Sequence, residues 1–189
     1  VRFGGVGQEH LVSLEFSSHS TQLATFEEHV QRSHATLHVL AGALVGRSDA
    51  ADLVQEACIV GMSRFGAFVP GTNFNAWMGA IIRNLALNHR RGEKRRMFRM
   101  RLFSAARPEV AERQHSGPDT ASDERLLSVV NSLDDEQRAC FLLKVVREHS
   151  YAEIGAILAI PEATARSHVF RARKQLLGQL SPKERSEHD

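Results

Sequence analysis

Cysteine is nearly absent from this 189-residue chain. Its two copies, Cys58 and Cys140, lie far apart, each inside an apolar helical pattern ("ACIVGM" and "ACFLLKVV"). That excludes a disulfide framework and a paired-cysteine zinc site, and leaves two buried free thiols as the expectation. No apolar run approaches the length of a membrane span. The first stretch, "VRFGGVGQEHLVSLEF", has neither the charged start nor the continuous apolar segment of a signal peptide. No membrane insertion is expected, and the cytoplasm is the expected location. Catalytic signatures are missing too: there is no G-x-S-x-G and no H-E-x-x-H. "GALVGRS" (42–48) glances at a phosphate loop, but its glycine spacing is one residue short and Arg47 stands where lysine is required. The expectation is therefore no enzyme, no catalytic residue and no cofactor. His34 and His38 have the i,i+4 spacing of a metal pair, yet no third ligand sits at a matching offset. His34 shares the stripe of Val30, Leu37 and Ala41, which makes it a partly buried structural histidine and leaves no metal site.

What the chain does contain is an ordinary globular balance, 42% hydrophobic and 24% charged, with a net charge of only +2. The small net value hides a segregation. Residues 83–107 carry nine Lys and Arg against one Asp or Glu, whereas 108–135 carry two against seven. Basic residues gather again in "AIPEATARSHVFRARKQL" (159–176). Clusters of this kind are where phosphate contacts are made if the ligand is nucleic acid, supplying affinity without sequence choice.

Hydrophobic periodicity predicts an all-α fold. Phe26, Val30, Leu37, Leu40, Ala41 and Leu44 keep a 3.6-residue period over 22–45, and a second helix is expected from an N-cap at Ser48 to Phe65. "GAFVPGTN" (66–73) is a loop, after which Asn73 caps a third helix with Trp77, Ile81 and Leu85 on one face; that placement gives Trp77 to the core. Between about 98 and 120 the period fades, and Pro108 and Pro118 mark a flexible linker. Four further helices are expected at 122–132, 134–148, 150–158 and 161–178. Ser150 and Glu153 have capping-box spacing, and Pro161 with Glu162 suits a helix start.

The domain reading is an N-terminal extension (1–21), a three-helix domain (22–97), the linker (98–121), a second helical domain (122–180) and a C-terminal tail (181–189). In the second domain two short helices and a turn of about three residues make a helix-turn-helix, whose second helix enters the DNA major groove. Its stripe Ala165, Val169, Ala172 and Leu176 faces the core, leaving Arg166, Ser167, Phe170 and Arg171 for base edges and phosphates.

Three stretches, "SDAADLVQEACIVGMSRFGAF", "NFNAWMGAIIRNLALNHRR" and "SLDDEQRACFLLKVVREHSYAEIGAILAIPEATARSHVFRARKQL", together resemble the bacterial sigma-70 family, in its group of extracytoplasmic-function sigma factors. The resemblance covers about 25–97 (region 2) and 122–178 (region 4). It implies that Asp52, Gln55 and Glu56 contact core RNA polymerase. It implies that Asn73, Phe74 and Asn75 hold an exposed −10 base, with Arg83, Asn84, Asn88, Arg90 and Arg91 on the −10 backbone or duplex. Arg166, Ser167, Phe170 and Arg171 would read the −35 element, with Arg173 and Lys174 toward phosphate. Core RNA polymerase and promoter DNA are the implied partners, and an anti-sigma protein is one the family often uses. Two departures stand out: Ala159 replaces the usual turn glycine, and Gly155 stands where the first helix usually has alanine. Asn88 replaces a common Asp. The competing expectation is a free-standing helix-turn-helix regulator that dimerises through the first domain, which leaves the "DLVQEA" helix and the melting loop without a purpose.

Overall fold

A computed structural model describes the backbone of residues 6–103 and 121–180, with side chains described from 22 to 92, at 95 and from 125 to 180. Seven α-helices follow in order: α1 (Val6–Val45), α2 (Ala50–Ser63), α3 (Phe74–Phe103), α4 (Ala121–Asn131), α5 (Asp135–Val145), α6 (Tyr151–Leu158) and α7 (Glu162–Leu180). Strands are absent among the described residues. No helix among them is long and apolar enough to cross a membrane.

Helices α1 to α3 pack as a unit because each carries one apolar stripe. Leu37, Leu40 and Ala41 of α1 meet Leu53, Val54 and Ala57 of α2 and Met78 and Ile82 of α3, all buried. Gly61 lets α2 come close: a Cβ there would stand 2.8 Å from the Met78 sulfur and 3.3 Å from the Phe26 ring. At one end of the unit Phe26, Phe65, Phe68, Phe74 and Trp77 form an aromatic cluster of edge-on and stacked pairs, joined by His29 stacked on Phe74 at 4.9 Å. Trp77 thus packs where its stripe placed it, while Phe74 is spent in the same cluster.

Several helix ends differ from the sequence reading. Helix α1 begins at Val6, well inside the expected extension, and α3 runs through Phe103, so 98–103 are helix rather than linker. The rest of the expected linker, 104–120, and the tail, 181–189, lie outside the described residues. Asp49, not Ser48, occupies the N-cap of α2, with no side-chain cap bond. Asn73 does cap α3, its Oδ1 accepting from the Ala76 amide at 3.1 Å. Cys58 is only half-buried, Cys140 is fully buried, and both are free. His34 is exposed rather than partly buried, with its ring 4.1 Å from that of His38.

The capping box at Ser150 forms in full. The Glu153 amide donates to Ser150 Oγ at 3.2 Å, and the Ser150 amide donates to Glu153 Oε2 at 2.7 Å. Helix α6 then ends on Ala159 in the left-handed conformation, φ 53°. A non-glycine residue there is strained, and Gly155 supplies the compensating room. The Ile160 amide closes the turn on the Gly155 carbonyl at 3.0 Å, and a Cβ on Gly155 would stand 2.7 Å from the Ile160 oxygen. Gly155 and Ala159 thus belong to one and the same turn.

The second unit, α4 to α7, does not stand apart from the first. Ala139, Cys140 and Leu143 of α5 and Ile154 and Ile157 of α6 belong to the same continuous buried cluster as α1 and α3. A smaller cluster of Val129, Val130, Leu133, Ala172 and Leu176 fixes α4 on α7.

Candidate nucleic-acid interface

Helix α7 separates its faces as the spacing requires. Ala165, Val169, Ala172 and Leu176 are all buried against the rest of the second unit. Arg166, Ser167, Phe170, Arg171, Arg173 and Lys174 are all exposed on the other side. Phe170 is 67% exposed, a large apolar ring held in water among cations. Arg166 is pre-positioned by Glu162 at 2.9 Å and by the Tyr151 ring 5.2 Å from its guanidinium carbon. Ser167 Oγ donates to the Ala163 carbonyl at 2.9 Å, which parks its hydroxyl on the helix in the free chain.

The second basic surface lies on α3. Asn84, Asn88 and Arg91 are exposed along one line of the helix, with i+4 and i+7 spacing. Arg83 and Arg90 occupy the adjacent line and are half-buried. The Arg83 guanidinium donates to the Ile157 carbonyl of α6. Arg90 donates to the Leu44 carbonyl at 2.8 Å and pairs with Asp135 of α5. Burial pushes the Arg83 pKa down from the ordinary arginine value, with Glu136 opposing the shift.

At the start of α3 the three residues expected around an exposed base separate. Asn73 is exposed, with its carbonyl oxygen on the helix cap. Asn75 Oδ1 is buried with no hydrogen-bond partner. Phe74 is 6% exposed, its ring packed between Phe26, His29 and Phe68.

On α2, Asp52, Gln55 and Glu56 are all exposed. Continuing their stripe at i+3 and i+4 spacing are Ile59, 72% exposed, and Met62, 50% exposed. These two were missed in the sequence because "ACIVGM" reads as uniformly apolar; their place on the acidic stripe was the available signal. Acidic groups at a helix start followed by bare apolar groups make a surface suited to a protein partner rather than to DNA, whose phosphates repel carboxylates.

The chain matches the family model for sigma-70 region 2 over residues 29–96 and that for sigma-70 region 4 over 123–176. It is 32% identical to the ECF RNA polymerase sigma factor SigE of Mycolicibacterium smegmatis over 82% of this chain and 59% of that protein. It is 30% identical to the ECF RNA polymerase sigma factor EcfG of Rhodopseudomonas palustris, over 75% of this chain and 77% of the relative. Against the longer relatives the chain spans between half and three fifths of their length. Among solved structures, the fold is shared with the sigma factor RpoE of Bartonella quintana, solved in complex with the anti-sigma factor NepR, at a TM-score of 0.65 and 24% identity, over 84% of this chain and 98% of that one. With both regions matched in order and a relative of this identity aligned over three quarters of both chains, the chain belongs to the sigma-70 family, in its extracytoplasmic-function (ECF) group.

Proposed function

We propose that this chain is a promoter-specificity subunit of RNA polymerase: it binds the core enzyme, selects −35 and −10 elements and nucleates their opening, without catalysing a reaction itself. The observation that carries the reading is the division of α7, whose inner stripe is fully buried while six polar, basic and aromatic side chains stand in solvent. An arginine bidentate on guanine is worth about 1–3 kcal/mol of discrimination, which gives Arg166 and Arg171 the sequence choice and Arg173 and Lys174 the phosphates. Phe170 suits a thymine methyl. Asn84, Asn88 and Arg91 on α3 serve the −10 element from their exposed line, with Arg83 and Arg90 joining them when free. Asn73 and Asn75 stay at the proposed base site; an unpartnered buried amide oxygen beside an exposed asparagine supports hydrogen bonding to an unstacked base. The α2 stripe of Asp52, Gln55, Glu56, Ile59 and Met62 takes the polymerase. An anti-sigma protein is a further partner by this reading, supported by the complex in which the Bartonella structure was solved. The cytoplasm is its proposed location, where polymerase and promoter are.

Reconstitution tests this directly. Transcript starts mapped on overexpression define a promoter, and purified core polymerase should initiate there only when the chain is added. Binding of that promoter by the chain alone, with no effect on initiation, would replace the reading with a free-standing regulator.

A further inference from the structure

His34 and His38 stand one turn apart on α1, so the helix itself brings their rings to one side. The sequence argues against a metal pair there on the premise that His34 is partly buried. That premise fails in the fold: His34 is exposed, His38 is half-buried, and their ring centroids lie 4.1 Å apart. The His38 Nδ1 is 3.1 Å from the His34 carbonyl oxygen. A carbonyl can only accept, so in the neutral ring Nδ1 carries the proton and Nε2 keeps its lone pair. An imidazole whose second N–H is held by a backbone carbonyl has its tautomer and orientation set for a metal ion. Among the described residues the His34 ring nitrogens have no hydrogen bond and no ion pair, so either can turn to the same ion.

We propose that His34 and His38 form a surface site for one nitrogen-seeking divalent transition-metal ion: copper(II), nickel(II) or zinc(II). Imidazole suits these ions, whereas magnesium and calcium take oxygen ligands. Metal–nitrogen bonds of about 2.0–2.1 Å let one ion span two nitrogens up to about 4 Å apart, and two rings at this separation on one helix face come within that span. Among the described residues no group of three His, Cys, Asp or Glu is gathered for a metal. The two imidazoles therefore hold the ion with water at its other positions, which makes the site reversible; structural sites close their coordination sphere with protein ligands. An ion bridging i and i+4 binds the helical chain better than the unfolded one, and so stabilises α1 by mass action. Neither histidine belongs to the surfaces proposed above for polymerase and promoter, so the site stands or falls apart from them.

The chain has ten histidines, so the test must assign the ion to these two. Copper(II) chloride is the probe, titrated by calorimetry into the full-length chain in a buffer that does not bind metals, because copper heads the affinity order for such sites. One equivalent should bind ahead of the rest. His34→Asn and His38→Asn should each weaken that first equivalent about tenfold or more, since the helix no longer offers a second ligand at high effective concentration. His89→Asn, at an exposed histidine of α3, should leave it unchanged. Both site variants change side chains that reach solvent and should keep the parent's circular dichroism; His34→Asn also leaves the ring of His38 in place, so its loss reports the missing ligand alone. Electron paramagnetic resonance of the one-equivalent complex should show two bound nitrogens in the parent and one fewer in either variant. Equal copper affinity in the parent and both site variants, or an unchanged nitrogen count, would overturn the site.

Discussion

His149 ties the second domain to the first through a residue whose charge state the fold selects. Its ring is mostly buried beside Thr36, and burial lowers its pKa from 6.5 more strongly than Glu153 raises it, with Arg147 and Lys144 adding to the lowering. The folded state therefore prefers the neutral ring. Its contribution is complete above pH 6.5 and is lost as pH falls through the lowered folded value. Glu153, held below the ordinary carboxylate range by hydrogen bonds from Ser150, adds stability of the same sign at lower pH. The thermal midpoint should fall on acidification below about 6.5, and His149→Gln should flatten the upper part of that decline. A variant with the same pH dependence as the parent would show that the ring does not carry the effect. Cys140 illustrates the complementary case: burial, with Glu136 adding to it, pushes its thiol up to about 12, an inert core side chain rather than a nucleophile.

At the scale of the element, α7 shows how one helix serves as scaffold on one face and leaves the other free for the proposed reading of DNA. Its small buried residues Ala165 and Ala172 bring the backbone down onto α5, α6 and α4, and that close seat turns the opposite face squarely outward. Arg171→Ala removes an exposed side chain and should leave the thermal midpoint within the error of a surface change. On matched −35 sequence the affinity of the holoenzyme should drop about tenfold or more, with discrimination among sequences relaxed. An equal loss on every sequence, measured by competition with mismatched duplexes, would move Arg171 from base reading to phosphate contact. The faces of α7, the capping box at Ser150 and the core place of Trp77 were all legible in the sequence, because period and spacing are local. The burial of Phe74 was not, since an aromatic residue at a loop-to-helix junction has the same signature whether it packs inward or waits for a base. Nor was the pairing of Gly155 with Ala159, which needs the distance from a missing Cβ to a carbonyl five residues away.

Across the whole molecule, the property hardest to anticipate was the closure of the two domains on each other. Apolar stripes on α1, α3, α5 and α6 say that faces are buried but not against which neighbour, so Leu40 and Ile157 read equally well as cores of separate modules. Segregated charge pointed to α3 as a cationic helix, yet only the fold shows that Arg83 and Arg90 face the second unit while Asn84, Asn88 and Arg91, about 100° away around the helix, stand in solvent. The surface left bare in the closed chain, Asp52 to Met62 on α2, is where the account places the polymerase. The most direct measurement is therefore equilibrium competition for purified core polymerase between a labelled reference sigma factor and this chain at full length. Saturable displacement is expected, weakened about tenfold or more by Asp52→Ala combined with Gln55→Ala in a chain that stays folded. No displacement at any concentration would contradict it, however well α7 binds duplex DNA.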